Sequence, residues 1–280
     1  MFFKGKKVLI IGGTGTIGTG LLKRIASEDP EVIRIFSRDE FKQFELQNEV
    51  SDSGYASQVR FLIGDVRDYS RVERAMEDID YVFHLAAMKH VPACEYNPFE
   101  AVQTNIIGTH NVIQAAIACN VEKVIFTSSD KAISPTNTYG ASKLTGERLV
   151  AAAQHHKGPR RTVFAAVRFG NVLGSRGSVV PLFVKQILTT RVIKVTNLEM
   201  TRFMMSQAQA AELTIEAMKN SKGGEILILK MPIIRLRDLA QTVIEGVCQR
   251  HNIDQDTVRI EEFGLRPGEK MYEELMTYEE

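Results

Sequence analysis

The stretch SSDKAISPTNTYGASK, residues 128–143, sets an acid, Asp130, beside a base, Lys131, just after the apolar run VEKVIF, and ends on Tyr139 and Lys143. An unpaired charge where a buried strand ends is costly enough that the group shifts its pKa or finds a partner. The adjoining pair therefore has either a structural task, capping the strand as an ion pair, or a chemical one, moving protons to and from a substrate. Tyr139 and Lys143 stand four apart, which puts them on one face of a helix. A phenol beside an ammonium is a candidate base toward a hydroxyl, because the positive charge favours the phenolate.

These residues need a frame. Short β-branched runs, KKVLIIG, EVIRIFS, VRFLIGD, DYVFHLA, EKVIFTS and TVFAAVRF, read as strands, and amphipathic stretches around residues 16–27, 39–48, 69–78, 98–119 and 139–156 read as the helices between them. That alternation predicts an α/β fold: a doubly wound parallel Rossmann sheet covered on both faces, with ligands at the carboxyl ends of the strands. After Phe169 the rhythm gives way to the Gly- and Ser-rich GNVLGSRGSVVP and then to shorter signals, VIKVT, QAQAAELTIEAMKN, GEILIL and LRDLAQTVIEGVCQ. The expectation is a dinucleotide-binding sheet domain over residues 1–170 and a smaller substrate-binding lobe over 171–280, between which the chain is free to cross more than once.

The first strand runs into IIGGTGTIG, where Gly12, Gly15 and Gly18 recur three apart with Thr14, Thr16 and Ile17 among them. Glycines allow a tight turn and close approach of backbone to a pyrophosphate, and the helix N-terminus that follows offers free N–H groups and a positive dipole end. The strand-loop-helix context makes this a dinucleotide site. Where an NAD-preferring fold carries an acidic residue for the ribose hydroxyls, IFSRDE presents Ser37 and Arg38. Arg38 could pair with a 2′-phosphate, so NADP is the expected cofactor; Asp39 is the residue that could serve NAD instead. Asp65 and Val66 of GDV could flank an adenine, and Ala86 and Ala87 of HLAA would let a cofactor lie close to the backbone. An oxidised cofactor so placed would join Lys143 in lowering the Tyr139 phenol pKa.

The bulk numbers agree with a soluble enzyme. At 280 residues the chain can build one large core, or a core and a lobe. With 35 basic against 34 acidic side chains the formal charge is +1, so no global field favours nucleic acid or an anionic membrane. Cys94, Cys119 and Cys248 lack zinc-type or redox-pair spacing, so no metal is expected and reduced thiols of a cytoplasmic chain are the plain reading. The apolar run VLII is too short for a signal core, and nothing approaches the roughly 18 apolar residues of a membrane span.

With these motifs in order, the chain resembles the extended short-chain dehydrogenase/reductase superfamily, and within it the bacterial UDP-N-acetylglucosamine 4,6-dehydratases of polysaccharide and nonulosonic-acid biosynthesis. The blocks SRDEFKQ, LAAMKHVPACEYNP, SSDKAISPTNTYGASK, RFGNVLGSRGSVVPLF, VTNLEMTRFMM and LRPGEKMYEEL carry the likeness across nearly the whole chain. The resemblance implies oxidation at carbon 4 of a UDP-sugar, elimination of water across carbons 5 and 6, and return of the hydride to carbon 6. It implies Lys131 as the carbon 5 base, Asp130 as the acid for the departing hydroxyl, and Tyr139 and Lys143 at carbon 4. A neutral Lys131 would need a depressed pKa. The retained Tyr139 leans toward members that invert carbon 5.

By the same resemblance Lys42 joins the cofactor residues, Lys89 reaches both cofactor and sugar, and Asn105 either meets the cofactor or bonds backbone nearby. Asn171, Val179, Thr196, Arg202 and Arg266 fall at substrate positions beside Lys131, with Arg176 a weaker one and Glu269 facing the uridine ribose; guanidinium forks suit a diphosphate. His90 is expected to pack beside the pocket. Members of the family form dimers or larger rings, which implies a homo-oligomer, and they continue for several dozen residues beyond MTYEE. The rival readings are a UDP-sugar 4-epimerase or reductase, and a non-catalytic NADP-binding sensor; the sensor would be expected to have lost part of the tyrosine, lysine and aspartate set.

Overall fold

A computed structural model describes residues 1–280. The chain opens with alternating strands and helices: β1 (Lys7–Ile11), α1 (Thr16–Ala26), β2 (Val32–Ser37), α2 (Glu40–Ser51), β3 (Val59–Ile63), α3 (Tyr69–Met76) and β4 (Tyr81–His84). Two short helices, α4 (Val91–Tyr96) and α5 (Pro98–Ala101), lead through a π-helical turn at Val102–Ile107 into α6 (Gly108–Ala118). Then come β5 (Lys123–Thr127), the long α7 (Thr138–His156) and β6 (Val163–Arg168).

Period-two alternation explains why these strands lie inside. In β1, Val8 and Ile10 enter one apolar cluster while Leu9 and Ile11 enter another on the opposite face. The first cluster is completed by Leu21, Leu22 and Ile25 of α1, and the second by Val72 and Met76 of α3 and Val112 of α6. With both faces covered, the strands have no polar side to show, which is the pattern of a parallel sheet.

The chain winds outward from β1 through β2 to β3, then crosses to the other side of β1 for β4, β5 and β6. Every pairing along this path is parallel. The winding direction therefore reverses between β1 and β4, and the crevice beyond their carboxyl ends is where this architecture accepts ligands.

The second half is β7 (Asn171–Val172), α8 (Val179–Thr190), β8 (Val192–Val195), β9 (Thr201–Met205), α9 (Gln207–Asn220), β10 (Ile226–Ile228), β11 (Ile233–Arg235), α10 (Leu236–His251) and β12 (Arg259–Glu262). Phe183 and Ile187 of α8, Ile193 and Val195 of β8, and Ala240 and Ile244 of α10 form a separate core. The chain crosses back beyond residue 170: β10 pairs with β6 as the seventh strand of the main sheet, and Ala210, Ala211 and Ile215 of α9 belong to its core. The physical reason is that β6 would otherwise leave a bare edge, and α9 covers the face beside α1. The expected helix at 98–119 is likewise interrupted, by the π-helical turn that holds Asn105. No helix is long and apolar enough to cross a membrane.

Candidate active site

The crevice between β1 and β4 opens into a cavity of about 950 Å³. Its floor is the glycine loop. Gly12 has φ +83°, and a Cβ there would stand 2.8 Å from the Ala86 backbone nitrogen, so only glycine lets the β1 loop lie against the β4 loop. Gly15 is the N-cap of α1, with no side chain capping the helix and no acidic residue in its first turn. The first N–H groups of α1 are thus left for a ligand.

Every residue expected on the cofactor side lines this cavity except Asn105: Gly12, Thr14, Gly15, Thr16, Ile17, Gly18, Ser37, Arg38, Lys42, Asp65, Val66, Ala86, Ala87, Lys89, Tyr139 and Lys143. Of the two readings of Asn105, the geometry favours the one that bonds backbone nearby. Its side chain is buried, accepts from Met88 N at 2.8 Å, and donates to Met88 O and Ser142 Oγ at 2.9 Å each, so it braces the β4 loop against α7 and has no group to offer a ligand.

The carboxylate that follows the second strand has settled partners. Asp39 caps α2 by accepting from Lys42 N at 3.1 Å and pairs with Lys42 Nζ at 2.6 Å, whereas Arg38 is 60% exposed in its side chain and only 3.7 Å from Asp65 Oδ2. A guanidinium held so loosely at the rim can turn to an anion; a carboxylate already bonded by a helix end and a lysine is poorly placed to take ribose hydroxyls.

Another wall carries the ionisable groups Lys131, Tyr139 and Lys143. Asn137 caps α7 by accepting from Gly140 N at 2.8 Å, and the helix seats directly on the turn at Asp130–Ala132. A Cβ on Gly140 would lie 2.1 Å from Lys131 O, so glycine is required for this contact. The consequence is that Tyr139 and Lys143 of α7 share the cavity with Lys131.

Asp130 is 0% exposed; its Oδ1 accepts from Lys131 Nζ at 3.0 Å and from Ser129 Oγ at 2.9 Å, while Oδ2 is buried without a partner. Lys131 Nζ also lies 3.4 Å from Asn171 Oδ1 and 3.4 Å from Glu273 Oε1. Burial pushes this lysine down, but Asp130 and Glu273 together hold it above the ordinary lysine range. The expected depressed pKa is therefore corrected: among the protein's own groups Lys131 is an ammonium. Tyr139 is corrected in the same sense. Burial raises its phenol above the ordinary value, and the hydrogen bond with Ser129 and the Lys131 charge only partly offset that.

Lys143 behaves differently. Its Nζ donates to Thr127 O at 2.7 Å and sits 4.6 Å from the centre of the Phe126 ring, and burial lowers it to about 8 against the opposing pull of Glu147. Beneath it His84 is fully enclosed, bonds Thr109 Oγ1 through Nε2 at 3.0 Å, and is held neutral by burial and by the nearby Lys143, its pKa lowered to about 3.

Of the substrate residues, Lys89, Lys131, Asn171 and Val179 line the cavity, as do Arg176 and His90. Thr196, Arg202, Arg266 and Glu269, of which the two arginines and Glu269 are expected at the nucleotide end of the substrate, do not. They gather along the segment 263–271 instead. Thr196 O accepts from Gly264 N at 3.1 Å, Arg202 donates to Lys270 O and Met271 O at 2.9 and 3.2 Å, Glu269 Oε2 accepts from Arg266 N at 3.3 Å, and Arg266 lies over the Phe263 ring. A guanidinium fork fits backbone carbonyls as well as phosphate, and residue type alone does not distinguish the two. Two neighbours of the chemistry escape the sequence: Ser129, from a run of serines with no spacing signal, and Glu273, one of several glutamates near the chain end.

Residues 8–280 match the model of a family described as polysaccharide biosynthesis protein. A Rickettsia bellii protein named UDP-glucose 4-epimerase is 41% identical over 282 residues, covering 99% of this chain and 80% of its own. A Campylobacter jejuni protein named UDP-N-acetylglucosamine 4,6-dehydratase (inverting) is 41% identical over 277 residues, covering 98% and 78%. The crystal structure of Pen from Bacillus thuringiensis superposes with a TM-score of 0.96 at 61% identity, over 100% of this chain and 85% of that one. DesIV of Streptomyces venezuelae, a dTDP-glucose 4,6-dehydratase solved with NAD, shares the fold at a TM-score of 0.85 and 19% identity, over 98% and 89%.

Proposed function

The chain belongs to the polysaccharide biosynthesis protein family, among nucleotide-sugar dehydratases and epimerases, and from that premise we propose that it is a 4,6-dehydratase acting on UDP-N-acetylglucosamine with NADP as its resident cofactor. The observation that carries the reading is the Asp130–Lys131 pair, the acid buried and the lysine half-buried, bonded at 3.0 Å in the cavity that also holds Tyr139 and Lys143. An epimerase needs no acid and base at carbons 5 and 6; a dehydratase needs both.

NADP fits the residues present: the uncapped α1 N-terminus and the Gly12 approach to Ala86 suit a pyrophosphate, and Arg38 with Lys42 suits a 2′-phosphate. Bound there, it would take a hydride from carbon 4 and return one to carbon 6. Tyr139 is the base for the carbon 4 hydroxyl, with Lys143 supplying positive charge behind it. A ketone at carbon 4 acidifies the hydrogen on carbon 5. The pair then works as a unit. Passing the Lys131 proton across 3.0 Å to Asp130 gives an amine and a carboxylic acid, the two forms that elimination requires, without drawing a proton from solvent. The amine takes the carbon 5 proton as the acid protonates the carbon 6 hydroxyl, which leaves as water; the Lys131 ammonium then gives a proton back to carbon 5 as the hydride would return to carbon 6, and exchange with solvent lets Lys131 regain a proton while Tyr139 releases the one it took from the carbon 4 hydroxyl. The uridine diphosphate half is assigned to the second group, where Arg266 is the exposed guanidinium.

Product mass from UDP-N-acetylglucosamine tests this. Loss of one water is expected; an unchanged mass would favour the second reading, the 4-epimerase supported by the Rickettsia relatives. Whether carbon 5 is inverted, as the name of the Campylobacter relative states for its own reaction, is read from the proton couplings of the same product.

The cofactor choice has its own test. Arg38→Ala is expected to weaken NADP about 10- to 100-fold, the loss of one or two charge-assisted bonds, with NAD changed less than about twofold. Fluorescence titration with both nucleotides checks it, and parallel losses would remove Arg38 from the 2′-phosphate.

A further inference from the structure

The proton pair is held in place by a stretch of chain far removed from it in sequence. The segment after Gly264 crosses the turn at Asp130–Ala132 and is tied on both sides. Gly268 O accepts from Asn137 Nδ2 at 2.8 Å and from Thr136 Oγ1 at 3.1 Å, and Lys270 Nζ donates to Ile133 O at 3.0 Å. On the other lobe Met271 O accepts from Thr201 N at 2.9 Å and Arg202 grips Lys270 O. Anchored this way, the chain turns the Glu273 side chain inward to 4% exposure, with Oε1 at 3.4 Å from Lys131 Nζ and Oε2 buried without a partner.

A second buried carboxylate on one ammonium is not what stability alone selects. Asp130 already neutralises Lys131, and a carboxylate oxygen without a donor carries a desolvation cost that an apolar side chain would avoid. We infer that Glu273 is a positioning residue for the elimination: a fixed second anion that orients Lys131 between two carboxylates and favours the ammonium form it must regain. This rests on the dehydratase reading for what Lys131 does, though not for its ionisation.

The proton balance gives the anion its use. In the working form the Lys131 proton rests on Asp130. The carbon 5–hydrogen bond then breaks and an N–H bond forms on Lys131, while the Asp130 O–H and the carbon 6–oxygen bonds break and water leaves. A positive charge appears on Nζ as Asp130 regains its negative one, and the Glu273 carboxylate, 3.4 Å from Nζ, faces that developing ammonium from the other side. The titratable groups facing Lys131 are Asp130 on its own turn, Tyr139 on α7 and Glu273 on the crossing segment. Removing the charge of Glu273 lowers the proton affinity of Lys131 whichever way the other two are protonated.

The test reads Lys131 directly. Protein carrying ¹³C-labelled lysine, with the Lys131 signal assigned by Lys131→Arg, is titrated as the native chain and as Glu273→Gln. The Lys131 midpoint is expected to fall by about 1 to 3 pH units in the variant. In steady state, kcat should fall about tenfold or more, with KM for UDP-N-acetylglucosamine within about twofold, because the interaction strengthens only in the transition state. An unmoved midpoint overturns the inference, including the case in which only thermal stability drops. Should Glu273→Gln not fold, Glu273→Asp draws the carboxylate back by one methylene and must move the midpoint partway in the same direction; no movement overturns it equally. A native protein that releases no water from the sugar would sink the dehydratase reading while leaving the titration result standing, so the two failures are separable.

Discussion

Lys131→Ala is expected to lower turnover of UDP-N-acetylglucosamine about 10²- to 10⁴-fold, the contribution typical of a positioned acid or base. The cofactor should stay bound. Lys131 meets the cavity on a wall other than that of the glycine loop, and the groups that would hold a pyrophosphate, the α1 N-terminus and the backbone about Gly12, do not touch it. The variant also strands Asp130, whose Oδ2 already lacks a partner and whose Oδ1 would keep only Ser129. Asp130 then has no proton to receive from Lys131, so the acid fails together with the base. Steady-state kcat, nucleotide content by mass after denaturation, and solvent exchange at carbon 5 measure the three parts separately. Turnover at the native rate would remove Lys131 as the base.

The second large effect lies behind the site. Arg168, at the end of β6, is 1% exposed and forks onto Glu147 of α7 with bonds of 2.9 and 2.7 Å; its remaining donors reach Glu280 at 2.7 and 3.1 Å and Leu275 O at 2.9 Å. Burial works against its charge, but the two glutamates more than restore it and hold the guanidinium above its ordinary range. Arg168→Ala is expected to reduce the unfolding free energy by about 3–5 kcal/mol, since Glu147 would be left as an uncompensated buried charge. Urea denaturation, with the midpoint shifted and the slope preserved, checks this. The double variant Arg168→Met, Glu147→Leu should recover most of the loss, because matched apolar groups replace a buried pair at little cost. It should not recover activity fully: Glu147 is what opposes the burial-driven fall of Lys143 to about 8, one helical turn away. A loss below about 1 kcal/mol in the single variant would mean that water reaches Glu147.

The parts of this molecule that sequence makes legible are those governed by near neighbours. The glycine loop announces itself because a turn pressed against the β4 loop tolerates no Cβ at Gly12, and the tyrosine and lysine of α7 because a spacing of four fixes a shared helical face. The strands are visible as short runs rich in β-branched and other apolar residues. What stays hidden depends on chain that returns from afar. β10 carries only ILI, too short to claim a place in the main sheet until β6 is seen to need a neighbour. Lys131 reads as a depressed base when the role the resemblance implies for it is taken alone, whereas the structure holds it above the ordinary lysine range through Asp130 and, from the crossing segment, Glu273. Arg202 looks like a diphosphate ligand by type, yet its fork fits the carbonyls of residues 270 and 271, a choice that no local pattern encodes.

The most direct measurement of the account is the proton and mass spectrum of the product formed from UDP-N-acetylglucosamine in deuterium oxide. An amine and a buried acid working at carbons 5 and 6 predict a sugar short of one water, with a methyl group at carbon 6 and solvent deuterium at carbon 5. A product of unchanged elemental composition, epimerised at carbon 4 and carrying its original hydrogen at carbon 5, would contradict it.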